Sequence, residues 1–247
     1  MLKALFLDMD DTLCDTQVAN AGAMTKMGQK LTSLYGEQFD SEGTIQAYLT
    51  GIYRQWSEPQ RERYMAIIEA EGESAYRVQL IRDLVAAQGQ AAPDQATAQS
   101  MQDQFDLDRI AGFDFYPGIE AFLAEARKTL TLVVITNGPI FSQHPKVNAV
   151  NMKAHVDHIL IGGEEPEEKP APSIFQKALQ LAECEAHEAV HFGDSLVTDI
   201  GGANATSIPS VWIQHDQVLD LNLGGEPKYT LTHPREIPSL VTQLSQL

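Results

Sequence analysis

The chain has 247 residues, of which 43% are hydrophobic and 21% charged, and its formal net charge is -17. This composition is typical of an ordered globular protein, and the excess of acidic residues argues against binding to nucleic acid or to anionic membrane surfaces. No apolar stretch reaches the roughly 20 residues that a membrane-spanning helix needs, and the apolar run at residues 1–7 is too short for a signal peptide, so we expect a cytoplasmic protein.

Short runs rich in apolar and β-branched residues recur along the chain. They lie at residues 4–7, 130–135, 158–161, 189–192 and 208–213. All but the last precede a turn or loop and then a helix-like segment, which is typical of an α/β protein with a doubly wound parallel sheet. Ligands of such sheets bind at the carboxyl ends of the strands, so functional residues are expected directly after these runs.

Between the first two runs, apolar residues recur at helical spacing. They form two stripes, Met24, Met27, Leu31 and Leu34 in the first and Ile45, Tyr48, Leu49, Ile52, Tyr53 and Trp56 in the second. We interpret these stripes as packing rather than as a cofactor pocket, with helix breaks near Gly36, Pro59, Gly72 and Pro93. We therefore predict a helical domain at residues 17–111, inserted between two parts of an α/β core at residues 1–16 and 112–247.

Three carboxylates and a hydroxyl follow the first strand, in the segment Asp8-Met9-Asp10-Asp11-Thr12. Carboxylates this close together repel one another unless a cation shares the site. Oxygen ligands of this kind suit Mg²⁺. A turn capped by aspartate side chains is the structural alternative for this segment taken alone.

The second strand ends in Thr136-Asn137-Gly138. A hydroxyl and exposed backbone amides can hold phosphate oxygens, and Gly138 permits a close approach. A strand-to-helix turn with an Asn cap explains the same residues equally well. Pro139 and Pro145 predict an irregular start for the helix that follows.

Two further segments carry charged groups. Lys169 precedes Pro170 and Pro172, which stiffen the backbone and would hold its ammonium group in place near a phosphate. Asp194 follows the fourth strand, and Asp199 lies in the next loop or helical turn, so both carboxylates can face the same sheet edge. Helix capping accounts for one of these two acids but not for both.

Together, Asp8-x-Asp10-x-Thr12, Thr136-Asn137-Gly138, Lys169-Pro170 and Gly193-Asp194-Ser195 with Asp199 resemble the four motifs of the haloacid dehalogenase superfamily. The helical insertion is similar to the first cap class of that superfamily. Within it, residues 161–175 and Val211-Trp212-Ile213 resemble the subgroup of N-acylneuraminate-9-phosphatases and nucleoside 5'-monophosphatases.

This resemblance implies a role for the first motif. Asp8 would be the nucleophile that forms a phosphoaspartate, and Asp10 would protonate the leaving group and later activate water. Mg²⁺ would be held by Asp8, the backbone carbonyl of Asp10, and Asp194. Asp11 has no role that the resemblance supplies.

The resemblance also implies roles for the other motifs. Thr136 and the amide of Asn137 would bind the phosphoryl oxygens, and Lys169 would stabilise their charge. Asp199 would orient Lys169 or a metal-bound water. The supporting residues would be Thr12, Gly138, Ser195 and Asp199.

The implied function is that of a magnesium-dependent phosphomonoesterase for a small phosphorylated metabolite, such as the sugar phosphate N-acylneuraminate 9-phosphate. A nucleoside 5'-monophosphate phosphatase is the alternative. A 2-haloacid dehalogenase is disfavoured because those enzymes lack the second aspartate, which is Asp10 here. A sugar phosphomutase would need groups that we do not identify in the insertion. A catalytically silent binding protein would be free to lose Asp8, Asp10 or Lys169, and all three are present.

Overall fold

The computed structural model describes residues 1–246 and divides into two compact units. The α/β unit comprises Met1–Gln17 and the described residues from Phe113 onward, and the helical unit is Val18–Gly112. Among the helices of residues 1–246, none combines the length and the apolar character that crossing a bilayer requires.

The α/β unit is built on a parallel sheet, which confirms the predicted doubly wound fold. Within the described residues the strands are β1 (Ala4–Leu7), β2 (Thr131–Thr136), β3 (His158–Ile161), β4 (Ala189–Gly193), β5 (Ser210–Ile213) and β6 (Tyr229–Leu231). They are ordered β3-β2-β1-β4-β5-β6, and each neighbouring pair is parallel. The sequence did not predict β6, because three residues are too few to show a periodic pattern.

Helices connect and cover the strands of this sheet. They are α6 (Ile119–Ala126), α7 (Ile140–Ala149), α8 (Met152–His155), α9 (Pro172–Leu181), α10 (Gly201–Ala205), α11 (Leu221–Gly224) and α12 (Ile237–Leu244). A single-turn π-helix, Leu196–Ile200, follows β4. Strands β1 and β4 are fully buried, and Ile174 and Phe175 of α9 pack in the same apolar cluster as residues of both strands.

The helical unit has its own apolar core. Its helices are α1 (Thr16–Tyr35), α2 (Ser41–Ile52), α3 (Glu58–Glu71), α4 (Glu73–Ala87) and α5 (Gln95–Ala111), of which α1 begins at the end of the α/β unit. The break predicted near Pro59 lies between α2 and α3, and Pro59 itself is in the first turn of α3, where its missing N–H costs nothing.

The two ends of the helical unit lie side by side. A Cβ atom built on Gly112, after α5, would be 3.4 Å from the Cα of Ala19 in α1. The unit therefore begins and ends at neighbouring points in space.

Candidate active site

The carboxyl ends of the central strands bring the predicted residues together. Asp8 follows β1, which lies between β2 and β4, and its N–H donates to the carbonyl of Phe192 at 2.9 Å. Thr136 is the last residue of β2, and Asp194 directly follows β4. Because these strands are parallel neighbours, their ends meet at one edge of the sheet.

Lys169 lies between two carboxylates at this edge. Its Nζ donates to Oδ1 of Asp8 and to Oδ1 of Asp199, both at 2.6 Å. All three residues are buried, with exposed fractions of 3% for Lys169, 6% for Asp8 and 1% for Asp199. Burial of an ammonium group is tolerated only with such partners, so the lysine is fixed against the predicted nucleophile.

The backbone of Lys169 is fixed by Asn137. The side-chain Nδ2 of Asn137 donates to the Lys169 carbonyl at 2.7 Å, and its Oδ1 accepts from the Lys169 N–H at 2.8 Å. The side chain of Asn137 therefore connects the β2 turn to the lysine loop. This leaves its backbone amide as the group available for the predicted phosphate contact.

Asp199 is held from the other side by β4 and its turn. His191 Nε2 lies 2.9 Å from Asp199 Oδ1, and the N–H of Ser195 donates to Oδ2 at 3.0 Å. Gly193 gives this carboxylate its space, since a Cβ there would lie 2.1 Å from the Asp199 Cγ. The side chain of Ser195 accepts from the Thr198 N–H at 3.2 Å, so it caps the π-helix.

The carboxylates of this cluster differ in the direction in which their pKa values are shifted. Burial raises the pKa of Asp199, but Lys169 and His191 outweigh it and hold that pKa at about 2. Burial, followed by Asp8 and Asp199, raises the pKa of Asp194 well above its ordinary value. Burial likewise raises the pKa of Asp8 to about 7, against the effect of Lys169. The site thus has more negative charge than its lysine offsets.

This surplus fits a divalent cation. Carboxylate oxygens of Asp8, Asp194 and Asp199 lie within 4.8 Å of one another. Both oxygens of Asp199 already accept hydrogen bonds, from Lys169 and His191 at one and from Ser195 at the other. Asp8 and Asp194 are therefore the carboxylates best suited to hold Mg²⁺.

The side chain of Asp10 faces a different set of donors. Lys146 Nζ donates to both of its carboxylate oxygens at 2.8 Å, and Thr16 Oγ1 donates to Oδ1 at 2.7 Å. Gln143 Nε2 is 3.4 Å from Oδ2. The predicted metal contact of Asp10 was its backbone carbonyl, so its carboxylate is left for another role.

The remaining predicted residues occupy the loops around the site. Thr12 is fully buried, and its hydroxyl has no hydrogen-bond partner among the described residues. Gly138 has φ of 115°, which favours glycine. Asp11 has φ of 54°, and its carbonyl lies 2.7 Å from His215 Nε2. None of these contacts assigns Asp11 a chemical role.

Sequence reasoning missed three polar residues at this edge: Gln143, Lys146 and His191. His191 carried a signal, because it is a polar ring in a run predicted to be a buried strand. Lys146 carried little, because lysines in surface helices are common and its partner lies 136 positions away.

Comparisons with known proteins identify the family to which the chain is similar. A family model described as haloacid dehalogenase-like hydrolase matches residues 2–206. The N-acylneuraminate-9-phosphatase of Homo sapiens is 28% identical over 98% of this chain and 95% of that protein. A phosphoserine phosphatase of Thermus thermophilus is 29% identical over 86% of this chain and 88% of its own.

The fold also matches solved structures. The L-2-haloacid dehalogenase from Xanthobacter autotrophicus, solved with chloropropionic acid covalently bound, superposes with a TM-score of 0.62. The match covers 98% of this chain and 99% of that chain at 16% sequence identity, and it concerns the fold alone.

Proposed function

Because this chain belongs to the haloacid dehalogenase-like hydrolase family and its curated relatives are phosphatases, we propose that it is a magnesium-dependent phosphomonoesterase. Its substrate is a small phosphorylated metabolite, with a sugar-acid phosphate such as N-acylneuraminate 9-phosphate as the preferred member. The observation that carries the proposal is the buried Lys169, which contacts Asp8 and Asp199 beside a third carboxylate, Asp194.

In this proposal Asp8 attacks phosphorus. The Asp8–phosphorus bond forms as the bond from phosphorus to the ester oxygen breaks, and Asp10 gives a proton to the leaving alkoxide. Asp10 then takes a proton from the water that attacks the phosphoaspartate, which restores Asp8 and releases phosphate. Lys169 stabilises negative charge at Asp8 and at the phosphoryl oxygens throughout.

Thr136 and the backbone amide of Asn137 bind the transferring phosphoryl group in the proposed reaction. Asp199 acts on Lys169 rather than on the substrate, since it accepts from the ammonium group, and His191 in turn holds Asp199. Asp8 and Asp194 would hold Mg²⁺, which when bound offsets the repulsion between a carboxylate nucleophile and an anionic phosphate.

The proposed substrate rests on the relatives that the chain matches. We also propose a cytoplasmic location, which rests on the cysteines. The relatives named N-acylneuraminate-9-phosphatase match nearly the whole chain, including the helical unit. Cys14 and Cys184 are both free thiols, which supports a reducing compartment such as the cytoplasm.

A screen of phosphate release tests the proposal. Purified full-length protein is incubated with N-acylneuraminate 9-phosphate, phosphoserine, nucleoside 5'-monophosphates and a 2-haloacid, each with Mg²⁺ or with a chelator. We expect phosphate release that requires Mg²⁺, with the highest kcat/KM for the sugar-acid phosphate. A higher kcat/KM for a nucleotide would overturn the substrate, and halide release without phosphatase activity would overturn the reaction.

A further inference from the structure

The carboxylate of Asp10 is held by donors that no motif predicted. Lys146 Nζ lies 2.8 Å from each of its oxygens, so the ammonium group bridges the carboxylate symmetrically. The hydroxyl of Thr16 adds a contact of 2.7 Å to Oδ1. Gln143 Nε2 adds a longer one of 3.4 Å to Oδ2. Both oxygens of Asp10 are therefore engaged by residues from α1 and α7.

The position of Lys146 is unusual for a helical lysine. The residue is 6% exposed, and its Nζ lies 5.5 Å from the ring centre of Phe113. Lysines seldom lose this much contact with water, because desolvation of the ammonium group is costly unless it is paired. The Asp10 side chain is 26% exposed, so the acid keeps access to solvent while the lysine does not.

Gln143 connects this arrangement to the phosphate-binding turn. It lies one helical turn before Lys146 on α7 and is 4% exposed. A Cβ atom on Gly138 would lie 2.8 Å from its Nε2. The same amide group thus packs against the turn after β2 and faces the Asp10 carboxylate. Helix α7 is the element that fixes Asp10 relative to that turn.

We infer that Lys146, assisted by Gln143, is a positioning residue that fixes the direction of the Asp10 carboxylate for proton transfer. The inference rests on the proposed function, in which Asp10 serves the leaving group and then water. Proton transfer by a positioned side chain contributes typically about 10² to 10⁴-fold to a rate, and small misplacements forfeit much of it. Lys146 itself does not touch the reacting atoms.

The inference predicts a dependence on the leaving group. An alkyl ester releases a strongly basic alkoxide and needs a proton from Asp10 in the first step. The ester p-nitrophenyl phosphate releases a stable anion and does not need that proton. Dephosphorylation needs Asp10 for both substrates, since the attacking water must lose a proton in each case.

The experiment compares Lys146→Met with wild type in rapid-mixing assays of the full-length enzyme with Mg²⁺. With the best alkyl phosphate of the screen, we expect kcat to fall by roughly 10²-fold. With p-nitrophenyl phosphate, we expect a burst of one equivalent of p-nitrophenolate at a rate within about threefold of wild type, followed by slow turnover. Gln143→Met should give the same pattern with a smaller loss. Lys153→Met, at an exposed lysine of α8, is the matched control and should behave as wild type.

A double-mutant cycle separates positioning from general damage. Lys146→Met combined with Asp10→Asn should be no slower on the alkyl phosphate than Asp10→Asn alone, because the lysine acts through that carboxylate. Additive losses, or an equal loss in the burst rate and in kcat, would overturn the inference.

Thermal unfolding identifies any variant that is not folded, in which case Lys146→Gln replaces it. If wild type releases no phosphate from any ester, the proposed function fails and the inference with it; if wild type is active and Lys146→Met is unchanged, the inference alone fails.

Discussion

Buried charge is arranged differently in the α/β unit and in the helical unit. At the edge of the sheet, Lys169 is the cation in contact with Asp8 and Asp199, and the carboxylate of Asp194 lies in the same cluster. Carboxylates outnumber the lysine. Burial first, and then the neighbouring carboxylates, raise the pKa values of Asp8 and Asp194.

In the helical unit, the network around Arg77 pairs cations with acids. The buried Arg77 faces Glu73 at 3.9 Å and Asp106 at 3.5 Å. Glu73 also pairs with Arg54 at 2.8 Å. Among these four residues, two guanidinium groups are therefore paired with two carboxylates.

We infer from this difference that the buried charges of the helical unit serve stability and that those at the sheet edge serve the proposed chemistry. A balanced network has no need of a further ion, so its effect is confined to folding. An unbalanced one is costly until a cation or a substrate group compensates it, and this cost can be recovered when the ligand binds. Substitutions in the two units should accordingly fail in different ways.

The largest effect is expected at Asp8. We predict that Asp8→Asn lowers kcat/KM for the best phosphate ester by roughly 10⁴-fold or more, because an amide is a poor nucleophile. The free energy of unfolding should change by less than about 1 kcal/mol, since the shape is nearly kept and Lys169 retains Asp199. Steady-state kinetics and urea denaturation measure the two quantities, with Asp216→Asn, at an exposed loop position, as the control. Retained turnover would rule out the covalent route.

An effect of intermediate size, on stability rather than on activity, is expected at Phe105 in the helical unit. Its ring is 1% exposed and meets Tyr48 edge-on at 5.1 Å. We predict that Phe105→Ala lowers the free energy of unfolding by about 3 to 5 kcal/mol, through lost packing and the cavity left behind. Leu107→Ala, at a 64% exposed position of the same helix, should change it by less than about 0.5 kcal/mol. Equal losses in the two variants would show that this core does not support the unit.

The smallest effect concerns pH and Asp199. Its pKa of about 2 in the folded protein is below the ordinary value of 3.8, so unfolding takes up protons between these values. The stabilisation is present above about pH 4 and is lost as pH falls toward 2. We predict that the stability advantage of wild type over Asp199→Asn, measured by urea denaturation with a chelator, shrinks by about 1 kcal/mol from pH 5 to pH 3. A constant advantage would mean that Lys169 and His191 do not hold this carboxylate in its ionised form.

The predictable part of the site is the part that local sequence determines. Asp8, Thr136 and Asp194 each stand where an apolar run ends, and parallel strands place such positions at one edge. The last apolar residue of each run marks the end of its strand. The resemblance to a known superfamily then supplied roles for these positions that the pattern alone left open.

The unpredicted part depends on contacts between distant elements. Lys146 and Asp10 meet only because α7 packs beside the loop after β1, and no local pattern encodes that pairing. Asn137 is similar: the sequence marked its position, but its side-chain bonds to Lys169 depend on how two loops approach one another. Periodicity describes what an element buries and leaves open which polar partner it finds there.

The adjacency of Ala19 and Gly112 affects the entropy cost of pairing β1 with β2. Strand β1 pairs directly with β2, although residues 8–130 separate them in the chain. A flexible connection of that length would cost roughly 1.5 kcal/mol more loop-closure entropy than one of about 25 residues. Once the helical unit has folded, its adjacent ends shorten the connection to the residues outside it, 8–17 and 113–130. The insertion then costs the folding of the α/β unit little more than a short loop would.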